Sequence, residues 1–357
     1  MKILILSNNF FPDIGGIESN SEILGASFTK LGHEVHLLTW TTYEGNVDFP
    51  FKIVRNPSFI QLFRSHLWAD VILENNPCLR LAWPNLFVKK PSVVVLNTWV
   101  SRVNGAIAFQ DKLKLRWLKR AGHVIAVSKA IQDTCFKDAI VVGNPYRQGS
   151  FYKKENIKAS KDFVFLGRLV SDKGASLAIK AIHDFNERSA ADLSFVPYEL
   201  TIIGEGQERS YLEQLTIKLK MQNSVKFTGS LTGEALNNQL NEHKYLLVPS
   251  MWKEPFGNVA LEGIACGCIP IVSDGGGLPD AVGAAGLTFK SGNLASMVSV
   301  IRSLTARPQL QKQLRSNAAA HLKDHHPEVI SKKYLAIMAD AYQIRHSQEG
   351  KQSLHWL

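Results

Sequence analysis

The segment KEPFGNVALEGIACGCIPIVSDGGG, Lys253 to Gly277, carries two glutamates eight positions apart. Carboxylates accept paired hydrogen bonds from neighbouring hydroxyls, which suits a hydroxyl-rich ligand. Pro255, Phe256 and Gly257 disfavour helix through Glu254, so that residue belongs on a loop. Asn258 is a good helix cap, VALEGIAC reads as a short helix ending at Gly267, and Glu262 falls about one turn inside it. The order is then a loop carboxylate, a helix mouth that attracts phosphate, and a second carboxylate beside that mouth. A diphosphate flanked by sugars would satisfy all three. DGGG, Asp274 to Gly277, adds a loop that permits close approach.

Cations follow the same logic. GRLVSDKG, Gly167 to Gly174, places Arg168 and Lys173 five residues apart on a loop that follows an apolar strand. Arg supplies a planar fork and Lys a point charge, and together they can clamp diphosphate oxygens. Near the amino end, FPDIGGIES sets Gly15 and Gly16 between the first strand and the first helix, where bare backbone N–H groups can meet an anion. IIGEG, Ile202 to Gly206, lacks the third glycine of a dinucleotide fingerprint and reads as a tight strand-to-helix turn.

No G-x-x-x-x-G-K-[ST], H-E-x-x-H, G-x-S-x-G or D-x-D occurs anywhere in the chain. A P-loop nucleoside triphosphatase, a zinc hydrolase, an α/β-hydrolase and a transferase holding phosphates through a metal on an Asp pair are thereby disfavoured. No metal and no organic cofactor is expected. The four cysteines, Cys78, Cys135, Cys266 and Cys268, form neither a disulfide framework nor matched metal half-sites, and point to a reduced, cytoplasmic setting. The formal charge of +10 favours polyanions, phosphorylated ligands or an anionic membrane surface.

These residues must be positioned by a scaffold, and 357 residues with 45% apolar and 20% charged content suggest two ordinary globular domains. Short apolar runs alternate with amphipathic stretches, the pattern of parallel strands and crossover helices. KILILS, HEVHLLT, DVILEN, SVVVLN, HVIAVS and IVVGN are the strands of the first half, with helices over Ile17 to Lys30 and Ile107 to Arg120. A polar, turn-prone stretch near Tyr146 to Lys161 reads as the linker. DFVFLG, YELTIIG, SVKFTG, KYLLVPS, CIPIVS and GLTF form the second series. The fold class is α/β: two facing, doubly wound Rossmann-like domains, 1–150 and 151–326, then a helix over 327–345 that crosses back to the first domain and a loose tail, 346–357. MKILIL followed by SNN reads as a buried strand rather than a signal-peptide core, and no run approaches the ~18 apolar residues of a spanning helix.

The motifs FPDIGGIE, VSKAI, GNPY, GRLVSDKG, IIGEGQE, VKFTGSL, VPSMWKEPFGNVALEGIACG and SDGGGLPDAV together resemble a retaining glycosyltransferase of family 4, with the GT-B fold, over nearly the whole chain. The resemblance implies a nucleoside diphosphate sugar as donor, uridine favoured over guanosine, and transfer without a metal in polysaccharide or glycoconjugate synthesis. It implies that Arg168 and Lys173 neutralise the leaving diphosphate, that Glu254 contacts the transferred sugar and that Glu262 holds the ribose. Phe256, Gly257, Asn258 and Val259 would touch sugar and phosphates, Gly15 and Gly16 would line the first-domain wall, and Gly204, Ser230 and Leu231 would meet the base. Many relatives carry a histidine where this chain has Asn97 and Thr98, which can hydrogen-bond a sugar but cannot titrate near neutral pH. A binding subunit without turnover and a nucleotide-sugar epimerase remain the alternatives.

The acceptor, a glycan or a lipid-linked molecule, would meet the loops Asn8 to Ser19, Tyr43 to Asp48 and Asn97 to Gly105. DKLKLRWLKR, Asp111 to Arg120, sets Lys112, Arg116 and Lys119 on one helical face, suited to peripheral contact with an anionic membrane at its cytoplasmic side. No nucleic-acid partner is expected, because basic residues interleaved with aromatics occur only there.

Overall fold

The computed structural model describes residues 1–13, 15–100, 108–190 and 195–353. Met1–Pro145 and His325–Leu357 form one compact unit, and Tyr146–Asp324 form a second. The first division thus falls five residues before the 150/151 boundary read from sequence.

Strands of the first unit are β1 (Lys2–Leu6), β2 (Glu34–Thr39), β3 (Lys52–Arg55), β4 (Val71–Asn75), β5 (Ser92–Leu96), β6 (His123–Ala126) and β7 (Ile140–Val141). They form one sheet in the order β3-β2-β1-β4-β5-β6-β7, and every pairing is parallel. SVVVL of β5 is buried at every position and KILIL of β1 at all but its first, as strands with helices on both faces require. KIVR of β3, half-buried at the sheet edge, carries no such apolar run and was not among the strands read from sequence.

Helices of this unit are α1 (Gly16–Lys30), α2 (Phe59–Trp68), α3 (Leu79–Ala82), α4 (Asn85–Val88), α5 (Phe109–Leu118) and α6 (Lys129–Cys135). Helix α2 starts in a capping box, in which the Ser58 hydroxyl and the Gln61 side chain each accept the other's backbone N–H. The acceptor loop expected over Asn97 to Gly105 runs past Val100 into residues outside those described, as does the expected start of α5 at Ile107.

The second unit contains β8 (Lys161–Leu166), β9 (Leu200–Ile203), β10 (Val225–Gly229), β11 (His243–Val248), β12 (Ile269–Ser273) and β13 (Leu287–Phe289). Their order is β10-β9-β8-β11-β12-β13, again parallel throughout. Helices α7 (Ala175–Ser189), α8 (Arg209–Lys218), α9 (Gly233–Glu242), α10 (Asn258–Ala265), α11 (Leu278–Val282), α12 (Leu294–Thr305) and α13 (Pro308–Asp324) complete it. Phe163, Phe165, Ile179, Ile182, Tyr245 and Leu247 lie at the centre of its core.

Each sheet has its first strand in the interior, so crossovers leave in opposite directions from it. The resulting switch points lie between β1 and β4 and between β8 and β11. Loops diverge there, which is where doubly wound sheets bind ligands. The last helix, α14 (Pro327–Ser353), packs on α1 and on β4, β5 and β6, burying Ile330, Tyr334 and Met338. It extends past His346, where a loose tail was expected.

Candidate active site

The second switch point gathers the loops that follow β8 and β11. After β8 the chain runs through Arg168 into a single 3₁₀ turn, Ser171–Lys173. The carbonyl of Asp172 accepts the N–H groups of Met251 (2.8 Å) and Trp252 (3.2 Å), stitching this turn to the loop after β11. Lys173 and Glu254 are thereby brought together. The Lys173 ammonium donates to Glu254 Oε1 at 2.5 Å, and Ser250 Oγ donates to the same oxygen at 2.9 Å. Glu254 Oε2 has no partner among the described residues, so it remains open to a hydroxyl donor.

Backbone contacts hold Glu254 as firmly as side chains do. Its carbonyl accepts the N–H of Gly277 at 2.7 Å, and Glu254 bridges Gly276 like a strand. Gly276 has φ +67°, and a Cβ there would collide with the Glu254 carbonyl oxygen. Only glycine combines that backbone with that approach. DGGG therefore acts by pressing its main chain against KEPFG.

Chain direction changes at Gly257 (φ +114°), which is the cap of α10. Asn258 is accordingly the first helical residue and not the cap expected from sequence. Phe256 is buried, while Asn258 and Val259 are half-buried around the helix mouth.

Glu262 lies one turn further, and its partner was not anticipated. Arg147 donates to Glu262 Oε1 through Nε (3.1 Å) and Nη2 (2.8 Å), and its guanidinium lies over the Phe151 ring. The Glu262 side chain is 10% exposed and that of Arg147 41%. Burial pushes the Glu262 carboxyl above its ordinary range, opposed by the charge and hydrogen bonds of Arg147. Glu262 Oε2 is left without a partner among the described residues.

Arg168 joins neither pair: it is exposed, and its side chain makes no hydrogen bond or ion pair among the described residues. At the neighbouring strand ends, Gly204 follows β9 with its N–H on the Gly229 carbonyl (2.9 Å), and Ser230 is exposed beside half-buried Leu231. Arg147 apart, these residues follow the carboxyl ends of parallel neighbours, so one edge of one sheet carries two carboxylates, the Arg168 and Lys173 cations and bare backbone.

Comparison with known proteins identifies the architecture. The family of glycosyl transferases group 1 matches residues 148–321. An uncharacterized glycosyltransferase of Methanocaldococcus jannaschii is 36% identical over 339 residues, spanning 79% of this chain and 83% of that one. The chain belongs to the group 1 glycosyl transferases. The gpi3 subunit of the phosphatidylinositol N-acetylglucosaminyltransferase of Schizosaccharomyces pombe is 25% identical, spanning 78% of this chain and 67% of that one. Among solved structures, Anabaena HepE in complex with UDP and glucose is similar over 95% of this chain and 99% of its own, with a TM-score of 0.75 at 18% identity. Its likeness shows the fold, a GT-B arrangement of two Rossmann-like domains.

In this group 1 glycosyltransferase the remaining site residues of the sequence reading lie in the first unit. Gly15 precedes α1, and Gly16 is the first residue of that helix; Gly15 is fully extended, with the Glu18 carboxylate folded over it. Asn97 is buried in a ladder of asparagines. Asn20 Nδ2 donates to Asn97 Oδ1 (2.9 Å) and Asn144 Oδ1 (2.8 Å), and Asn97 Nδ2 donates to Asn75 Oδ1 (2.6 Å). Asn75 Nδ2 continues to Ser21 Oγ and the Ile17 carbonyl. Both ends of the Asn97 amide are thus engaged in tying β5 to β4 and α1, while Thr98 is half-buried.

Sequence reasoning missed Arg147, Ser250 and this ladder. Arg147 sits in the stretch read as a linker, yet one signal was available: a glutamate placed inside an apolar helix demands a cation from elsewhere.

Proposed function

We propose that this group 1 glycosyltransferase is a retaining, metal-independent hexosyltransferase of family 4. It moves a sugar from a nucleoside diphosphate sugar, with uridine diphosphate as the carrier, to a glycan or lipid-linked acceptor in polysaccharide or glycoconjugate synthesis. The work is assigned to the cytoplasmic side, peripheral to a membrane. The observation that carries this reading is the Lys173–Glu254 pair at the β8/β11 switch point, braced by Ser250. Lys173 has two further N–H groups for phosphate, and Glu254 Oε2 can accept a hydroxyl of the transferred sugar. Negative charge grows on the leaving diphosphate as the glycosidic bond breaks. Lys173 and the exposed Arg168 meet it with fixed positive charge, and the mouth of α10 adds backbone N–H groups. Glu262 Oε2, held in place by Arg147, is suited to the ribose hydroxyls. The UDP and glucose bound to Anabaena HepE support the choice of donor.

Incubation with a panel of nucleotide sugars and acceptors tests this. Acceptor-dependent release of uridine diphosphate is expected, with the anomeric configuration of the product unchanged by NMR. Lys173→Ala should lower kcat by on the order of a hundredfold, the scale for losing one electrostatic stabiliser of a developing charge. Unaltered rates in both Lys173→Ala and Glu254→Gln would refute the assignment. A second reading, a binding subunit without turnover, is favoured by the full engagement of Asn97 where many relatives carry histidine. It predicts donor binding with no product.

A further inference from the structure

The first unit carries an exposed aromatic ridge beside a basic groove. On α2, Phe59 is 66% and Ile60 and Leu67 are each 61% exposed, and on α4 Phe87 is 69% exposed. The rings are in contact: Phe59 with Phe63 and Trp83, and Phe87 with both Phe63 and Trp83, at centroid separations of 5.0–6.4 Å. A contiguous patch of large apolar side chains in water is a cost that a partner normally relieves.

Helix α4 divides this ridge from the groove. Asn85 lines the groove, Phe87 two residues later belongs to the ridge, and the chain then bends at Lys89 (φ +57°) into Lys90. The groove, of about 610 Å³, is bordered by Lys89, Lys90, Arg120 and Arg345 together with Ser92 and Trp117. Among the described residues no Asp or Glu lines it. Lys89 and Lys90 make no side-chain hydrogen bond or ion pair among the described residues. Asp340, next to the lining, is already held by His123 at 2.6 Å.

From this juxtaposition we infer that the α2/α4 ridge and the adjoining groove dock the protein on an anionic lipid bilayer, the rings entering the headgroup region and the groove receiving a lipid phosphate. Charge complementarity selects that occupant: Lys89 and Lys90, which have no acidic partner among the described residues, attract an anionic leaflet, and aromatic side chains partition to its interface. The inference deepens the membrane reading above without resting on transfer, and it moves the contact. Of the expected segment Asp111 to Arg120, Lys112, Arg116 and Lys119 are exposed, whereas Asp111 and Leu118 are buried and Trp117, half-buried, donates its indole N–H to Glu74 Oε1 (2.8 Å). Trp117 and Arg120 are what that segment contributes to the groove. Among the described residues no helix is long and apolar enough to cross a membrane, so attachment by this surface would be peripheral.

Flotation of the full chain with vesicles tests the inference. The protein should float with vesicles of phosphatidylcholine enriched in phosphatidylglycerol, not with phosphatidylcholine alone, and less as salt rises. Lys89→Ala/Lys90→Ala/Arg120→Ala should weaken binding on the order of a hundredfold, since each cation near an anionic surface contributes roughly a factor of five. Phe59→Ser/Phe87→Ser should weaken it separately while leaving the salt dependence in place. Both variants should keep the wild-type thermal shift with uridine diphosphate, which shows that they fold and which fails independently if the donor reading is wrong. Binding undiminished in both variants, or no flotation of the wild type, overturns the inference. Saturation of the groove by soluble glycerol phosphate as tightly as by vesicles also overturns it, because the ligand would then be a free phosphate.

Discussion

Replacing Arg147 by methionine probes the pair that organises the helix α10 side of the site. The substitution keeps most of the apolar stem and removes the charge, stranding the Glu262 carboxylate, whose side chain is 10% exposed. Breaking a fully buried ion pair by deleting one partner costs about 3–5 kcal/mol. Arg147 is 41% exposed, so water screens part of its charge and the expected cost is reduced to about 2 kcal/mol. For a unit of this size that corresponds to a fall in Tm of about 4–8 °C.

The sign of the pH dependence is a second, independent signature. Burial already raises the Glu262 carboxyl, and removing Arg147 removes the influence that opposes the rise. A carboxyl raised in the folded state favours folding below its unfolded pKa and loses that contribution as pH climbs through the folded value. The deficit of Arg147→Met should therefore be small near about pH 5 and larger near about pH 8. Urea unfolding of the wild type, Arg147→Met, Glu262→Gln and the double variant completes a cycle, in which a coupling of about 1–2 kcal/mol is expected at the higher pH. Coupling indistinguishable from zero, or a deficit that shrinks toward alkaline pH, would show that Arg147 does not hold Glu262.

Two more outcomes follow from the first unit. Burial pushes the Glu74 carboxyl up to about 7 despite the Trp117 and Cys78 hydrogen bonds, so the wild type should lose on the order of 3 kcal/mol of stability as pH rises from the ordinary carboxylate range through about 7. Glu74→Gln should flatten that slope in thermal melts, and an unchanged slope would assign the titration elsewhere. Asn97→Ala strands the amides of Asn20 and Asn75 and should cost about 1–3 kcal/mol in urea unfolding while leaving the thermal shift with uridine diphosphate intact. A loss of that shift with no loss of stability would make Asn97 a ligand-binding residue instead.

The sequence by itself determined the strands and the residue types at their ends. Parallel strands covered on both faces must be continuously apolar, so KILIL, SVVVL and FVFL announce themselves, and the residues that follow them stand at one sheet edge by topology alone. Edge strand β3, half-buried and only four residues long, has no such signature and emerged only in the fold. Helix α10 was legible, but its cap was not: whether Gly257 or Asn258 turns the chain depends on the backbone angle at Gly257, which side-chain preference does not report.

Pairings were decided by tertiary structure. Glu254 and Lys173 are 81 residues apart and Glu262 and Arg147 are 115 apart, and no periodicity connects them. What joins them is the divergence of crossovers at a switch point and the satisfaction of a carboxylate removed from water, both properties of the packed chain. The same holds for Asn97, whose amide could have faced a sugar but is consumed by Asn20 and Asn75, because a buried amide must find partners wherever the fold supplies them.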